Sequence, residues 1–62
     1  MTELEILLRK EREYRLRIYE SEVRRIARSL DQRPSDIRQE LRGLGYTRVQ
    51  NEHGLYLWRK GV

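Results

Sequence analysis

Sixty-two residues with 37% hydrophobic content make one small domain. A chain of this size buries only about 60% of its unfolded surface, which leaves no room for an internal cavity or an elaborate catalytic site. Fourteen basic side chains against ten acidic ones give a net charge of +4, and the absence of cysteine excludes a disulfide framework and a thiolate metal site.

The first stretch opens with Thr2-x-x-Glu5, a capping-box match. Glu5/Arg9, Glu11/Arg15, Glu13/Arg17 and Glu20/Arg24 each place the acid four residues before the base, the favourable order on a helix. The spacing predicts a helix from Glu3 to about Tyr19. A strand signal competes with it, because Tyr14, Leu16 and Ile18 alternate with Arg15 and Arg17. A third reading joins Leu16, Tyr19, Val23, Ile26 and Leu30 into a 3-4-3-4 seam on one unbroken helix from Glu3 to Leu30, a coiled coil. Ser21 as an internal cap and a seam of barely two heptads speak against it. Leu4, Leu7 and Leu8 begin an apolar stripe that either docks on the core or joins a second copy.

A second helix is predicted over 21–30, where Val23, Ile26, Ala27 and Leu30 recur at i, i+3, i+4, i+7. Asp31-Gln32-Arg33-Pro34 breaks that stripe, and Ile37, Leu41 and Leu44 start another over 35–44. Pro34 cannot continue the first helix but suits the first turn of the next, where Ser35 is expected to cap free amides and Asp36 to face the positive dipole end. Gly45 supplies the left-handed conformation that stops the helix.

Beyond Gly45 the period shifts towards two. Tyr46-Thr47-Arg48-Val49-Gln50 and Leu55-Tyr56-Leu57-Trp58-Arg59 read as strands joined by the turn residues Asn51-Glu52-His53-Gly54, so a hairpin is predicted over 46–60. Leu55 and Leu57 point one way and Tyr56 and Trp58 the other. Trp58 has the most area to bury and is expected inside, with its indole N–H in need of a partner.

The charge is unevenly spread. Residues 1–20 are neutral overall, whereas residues 21–62 hold nine basic against five acidic side chains. Twelve of the fourteen basic residues are arginine, whose planar guanidinium can hold a phosphate or a guanine edge with two parallel hydrogen bonds; a GC-rich genome would produce the same bias. On the helix over 35–44 the apolar stripe leaves Ser35, Arg38, Gln39 and Arg42 along the outer face. Arginine can be bidentate to guanine and glutamine to adenine, each worth about 1–3 kcal/mol of discrimination, and Ser35 at the helix start suits a phosphate. The plain alternative is a solvated face. Arg33 before this helix, and Arg48, Arg59 and Lys60 on the hairpin, extend the candidate DNA-contacting set, with His53 beside them. Edge-strand protection explains the hairpin charges equally well. Arg24, Arg25 and Arg28 read as phosphate contacts or solvated face, with Arg24 expected to pair with Glu20.

From Glu22 to Leu30, then from Arg33 through the Leu44-Gly45-Tyr46 joint, the chain resembles the winged helix-turn-helix superfamily of DNA-binding domains, over about two-thirds of its length. The ending, from Leu44 through Gly54 to Trp58-Arg59, is also similar to the C-terminal winged modules of phage- and plasmid-type primase-helicases. The resemblance implies an α+β fold of three helices followed by a C-terminal β-hairpin, the wing. It also implies a recognition helix in the major groove carrying Ser35, Arg38, Gln39 and Arg42, and often a homodimer, here through the N-terminal helix. The Asp31-Gln32-Arg33 turn departs from the family, which often has a glycine there.

Enzymatic chemistry is not expected. His53 stands alone in a turn, no second histidine or buried carboxylate activates Ser21, Ser29 or Ser35, and zinc-ligand spacing is absent, so no cofactor or metal is implied. The stronger rival is a protein-interaction module, an accessory subunit or inhibitor of polymerase or replication machinery, anchored by Leu4, Leu7, Tyr56 or Trp58. RNA binding ranks third for want of an aromatic stacking platform. No apolar run approaches the roughly 18 residues of a membrane span, and the start lacks a signal-peptide pattern, so a cytoplasmic protein away from membranes is expected. The expectation is a small transcriptional regulator that binds double-stranded DNA.

Overall fold

A computed structural model describes residues 1–61, the side chain of Arg15 apart. Three α-helices and a short 3-10 turn lie on one face of a three-stranded antiparallel sheet, giving a small α+β domain.

Helix α1 (Glu3–Lys10) begins where the Thr2 hydroxyl accepts the Glu5 amide at 3.2 Å, with Glu3 and Glu5 in the first turn and Arg9 and Lys10 in the last. Leu4 and Leu8 go into the core and Leu7 packs against it. The helix then stops, nine residues short of the expected Tyr19. Glu11 is extended, Arg12–Arg15 forms the 3-10 turn, and Ile18–Tyr19 is strand β1. A continued helix would have laid charged Glu11 on the stripe of Leu4 and Leu8. Unwinding leaves Glu11 exposed, buries Tyr14 and Ile18, and gives the backbone at residues 18 and 19 a ladder with the last strand. The same break removes the unbroken helix to Leu30.

Helix α2 (Glu20–Ser29) buries Val23, Ile26 and Ala27, and α3 (Pro34–Gly43) buries Ile37 and Leu41 against them. Between them the chain turns in a Schellman arrangement: the Gln32 amide donates to the Ala27 carbonyl at 2.8 Å and the Asp31 amide to that of Arg28 at 3.3 Å. Asp31 occupies the left-handed position, φ 54°, where glycine is usual. Pro34 takes the first helical position of α3 as expected, but Arg33 is the N-cap and no side chain caps the helix, so Ser35 does not do so. Gly45, φ 96°, ends the turn after α3.

Strands β2 (Tyr46–Gln50) and β3 (Tyr56–Lys60) form the expected hairpin, in register from Tyr46↔Lys60 to Gln50↔Tyr56. Asn51 closes its loop by accepting the His53 and Leu55 amides, both at 2.9 Å. β1 adds to the other edge of β3, giving the order β1-β3-β2 and setting Ile18 opposite Trp58. Alternation along the strands turns Ile18, Tyr46 and Trp58 towards the helices. Leu57 is buried on the opposite face, outside the main core cluster.

Candidate functional site

Trp58 is 0% exposed, and the partner its indole requires is the carboxylate of Glu20, at the start of α2. Nε1–H donates to Glu20 Oε1 at 2.8 Å. The other oxygen, Oε2, accepts from Arg38 Nε at 3.1 Å and Nη2 at 2.9 Å. One carboxylate thus joins α2, α3 and β3. Partial burial pushes its pKa up, but the hydrogen bonds from Arg38 and Trp58 and the positive charges of Arg38 and Arg48 outweigh that, so it lies below the ordinary carboxylate value. The sequence pairing of Glu20 with Arg24 is replaced by this longer-range one, and Arg24 is left exposed.

Arg38 is therefore not a freely mobile member of the α3 outer face; its side chain is 26% exposed and anchored to Glu20. Ser35, Gln39 and Arg42 are exposed. The Arg42 guanidinium lies 5.2 Å from the Trp58 ring centroid, lidding the tryptophan while facing solvent. Exposed Arg33 sits just before the helix.

The hairpin divides the remaining candidates. Arg48 shares the helix-facing side of the sheet with its cross-strand partner Trp58, and its guanidinium stacks 4.3 Å from the Tyr56 centroid. Lys60 is on the same side, over Tyr46 at 6.0 Å, further along beside Arg9 and Leu44. Arg59 lies on the opposite side of the sheet, in a concavity shared with Leu16, Arg17, Tyr19 and Leu57. His53 is exposed at the hairpin tip, 3.7 Å from Glu52. Arg48, Arg38 and Arg24 converge from the hairpin, α3 and α2 on one open groove of about 670 Å³, whose walls also include Tyr19, Glu20, Ser21 and Tyr56. Of the eight sequence candidates, Arg38 and Arg48 thus meet in one place, while Arg59 is directed away.

Compared with known proteins, the chain matches no family model, no curated protein and no solved structure. Its chemistry is read from the site itself.

Glu20 is the residue that sequence reasoning missed as part of the site. Its only advance signal was the unmet donor on Trp58. Among the described residues no three His, Cys, Asp or Glu side chains converge as metal ligands, and no helix is long and apolar enough to cross a membrane.

Proposed function

We propose that the protein is a winged helix-turn-helix domain that binds duplex DNA as a small transcriptional regulator, with α3 as recognition helix and the β2–β3 hairpin as wing. The observation that carries this reading is the placement of Ser35, Gln39 and Arg42 on the open side of α3, beside the groove into which Arg24, Arg38 and Arg48 converge. Donor-rich side chains on one helix suit base edges in a major groove, and a flanking run of guanidinium groups suits the backbone. The surplus charge of residues 21–62 adds a long-range attraction for the polyanion.

The helix–turn–helix reading is supported by the Schellman turn at Asp31 and by the packing of α3 against both α2 and β2, the first strand of the hairpin. One recognition helix offers few contacts, so a second copy is part of the proposal. With Leu4 and Leu8 committed to the core, the apolar groups that α1 can still offer to a partner are Ile6, 49% exposed, and half-buried Leu7. The rival protein-docking reading loses two of its four anchors, since Leu4 and Trp58 are both fully buried.

The test is fluorescence anisotropy of a labelled duplex across a salt series, with the unaltered protein and the Gln39→Ala/Arg42→Ala pair. Binding should fall linearly with salt on logarithmic axes, and the variant, checked for folding by circular dichroism, should bind more weakly. No binding at low salt by a folded sample refutes the reading.

A further inference from the structure

The Glu20–Arg38 pair assigns different work to the two edges of one guanidinium. Glu20 takes the side-on edge, Nε and Nη2, through a single oxygen. Among the described residues Nη1 has no hydrogen-bond partner, and no side-chain nitrogen or oxygen of those that are not exposed is both buried and unpaired, so that end of Arg38 is open to solvent. Arg38 lines the groove, so the solvent it meets there is shared with Arg24 and Arg48. Arg48 is itself held, by stacking on Tyr56 at 4.3 Å. Two of the three guanidinium groups around the groove are therefore fixed before any ligand arrives, one by an ion pair and one by an aromatic ring.

We propose that this groove is a phosphate-binding site for one strand of the DNA backbone, and that Glu20 is its positioning residue, holding Arg38 so that its free edge joins Arg24 and Arg48 around the phosphate. The inference rests on the DNA-binding reading above and deepens it, giving Arg38, a base-reading candidate by sequence, a held position on the backbone. Guanidinium donors approaching from three separate elements fit the several acceptor oxygens of a phosphodiester better than the single flat edge of a base. Holding the arginine in advance removes ordering cost from binding, which a long, flexible side chain would otherwise incur. Sequence discrimination then falls to Gln39 and Arg42, on the exposed remainder of α3.

Glu20→Gln tests this by the sign of its effect. The amide keeps an oxygen for the Trp58 N–H but offers Arg38 an N–H₂ group, so the arginine is released while the indole remains satisfied. The substitution also removes a negative charge, and charge alone makes binding to DNA tighter. Positioning makes it weaker, by about two- to tenfold at fixed salt. Affinity is measured by anisotropy on two duplexes of unrelated sequence, alongside a thermal melt. The expected result is weaker binding by the same factor on both, with Arg48→Ala lowering the salt slope by about one unit on both.

Tighter or unchanged binding by folded Glu20→Gln overturns the positioning role, and a loss confined to one duplex overturns the backbone assignment in favour of a base contact. Should Glu20→Gln not fold, Arg24→Ala and Arg48→Ala decide, and an unchanged slope in both overturns the site. Absence of binding by the unaltered protein is a different failure, which removes the DNA reading and this inference with it.

Discussion

Replacing Trp58 by Phe keeps an aromatic ring in the slot but removes the N–H and part of the ring. Trp58 is wholly buried and donates to Glu20 at 2.8 Å, so two losses follow. Buried apolar area falls by on the order of 50 Å², about 1 kcal/mol at about 25 cal/mol per Å². A hydrogen bond to an ionised group contributes about 1.5–3 kcal/mol, towards the lower end here because Glu20 keeps contact with water. The sum, about 2.5–3.5 kcal/mol, compares with roughly 3–9 kcal/mol for the whole stability of a domain of this length. At about 4–8 °C per kcal/mol, Tm should drop by roughly 10–30 °C. Far-UV circular dichroism melts measure this directly, and a double-mutant cycle with Glu20→Ala, which removes the acceptor, separates the hydrogen bond from the packing. A drop below about 4 °C would show that neither the burial nor the bond of Trp58 holds the elements together, and the reasoning from the Glu20 junction would be refuted.

The depressed pKa of Glu20 makes stability pH-dependent: its contribution is present above the unfolded carboxylate value and is lost as pH falls through the lower folded value. Melts from neutral to acidic pH should therefore show the unaltered protein converging on Glu20→Gln as Glu20 protonates, and a constant gap between them would contradict the ion pair. Asp31→Gly should raise Tm by a few degrees, about 0.5–1 kcal/mol, because glycine adopts φ 54° without the steric penalty that aspartate carries; a lowered Tm would mean that the aspartate side chain holds the turn. Leu4→Ala should cost about 2–5 kcal/mol, a large share of the roughly 3–9 kcal/mol that holds the domain, while Ile6→Ala, on the exposed side of α1, changes Tm little. Equal effects in the two melts would argue that α1 packs differently.

Periodicity made α2, α3 and the hairpin legible, because each places its apolar residues at one constant spacing: Val23, Ile26 and Ala27, then Ile37 and Leu41, and the strands on either side of Asn51-Glu52-His53-Gly54. The segment from Glu11 to Tyr19 was not legible in the same way. Its acid–base pairs at i, i+4 suggested a helix, yet such pairs are worth only about 0.2–0.5 kcal/mol each. Neither Glu5–Arg9, Glu13–Arg17 nor Glu20–Arg24 forms an ion pair among the described residues, and Glu11–Arg15 lies outside the described side chains. Burial of Tyr14 and Ile18 and the pairing of β1 with β3 are larger effects, and they depend on residues far along the chain: Tyr46, 32 positions after Tyr14, and Trp58, opposite Ile18. The candidate site divides the same way. Ser35, Gln39 and Arg42 could be placed from helical spacing alone, whereas the tie between Glu20 and Arg38 joins two elements across 18 residues and leaves no local pattern to read.

The order of the strands also bears on how this domain comes into being during synthesis. β3 is the middle strand of the sheet and the last of the elements to leave the ribosome, and it carries the side chain that closes the core. Until Trp58 arrives, Ile18 lacks its partner strand and the helices have nothing to fill the space between them and the sheet. The emerging helices are thus an unfinished hydrophobic surface, and the core is closed only when the hairpin folds back onto them.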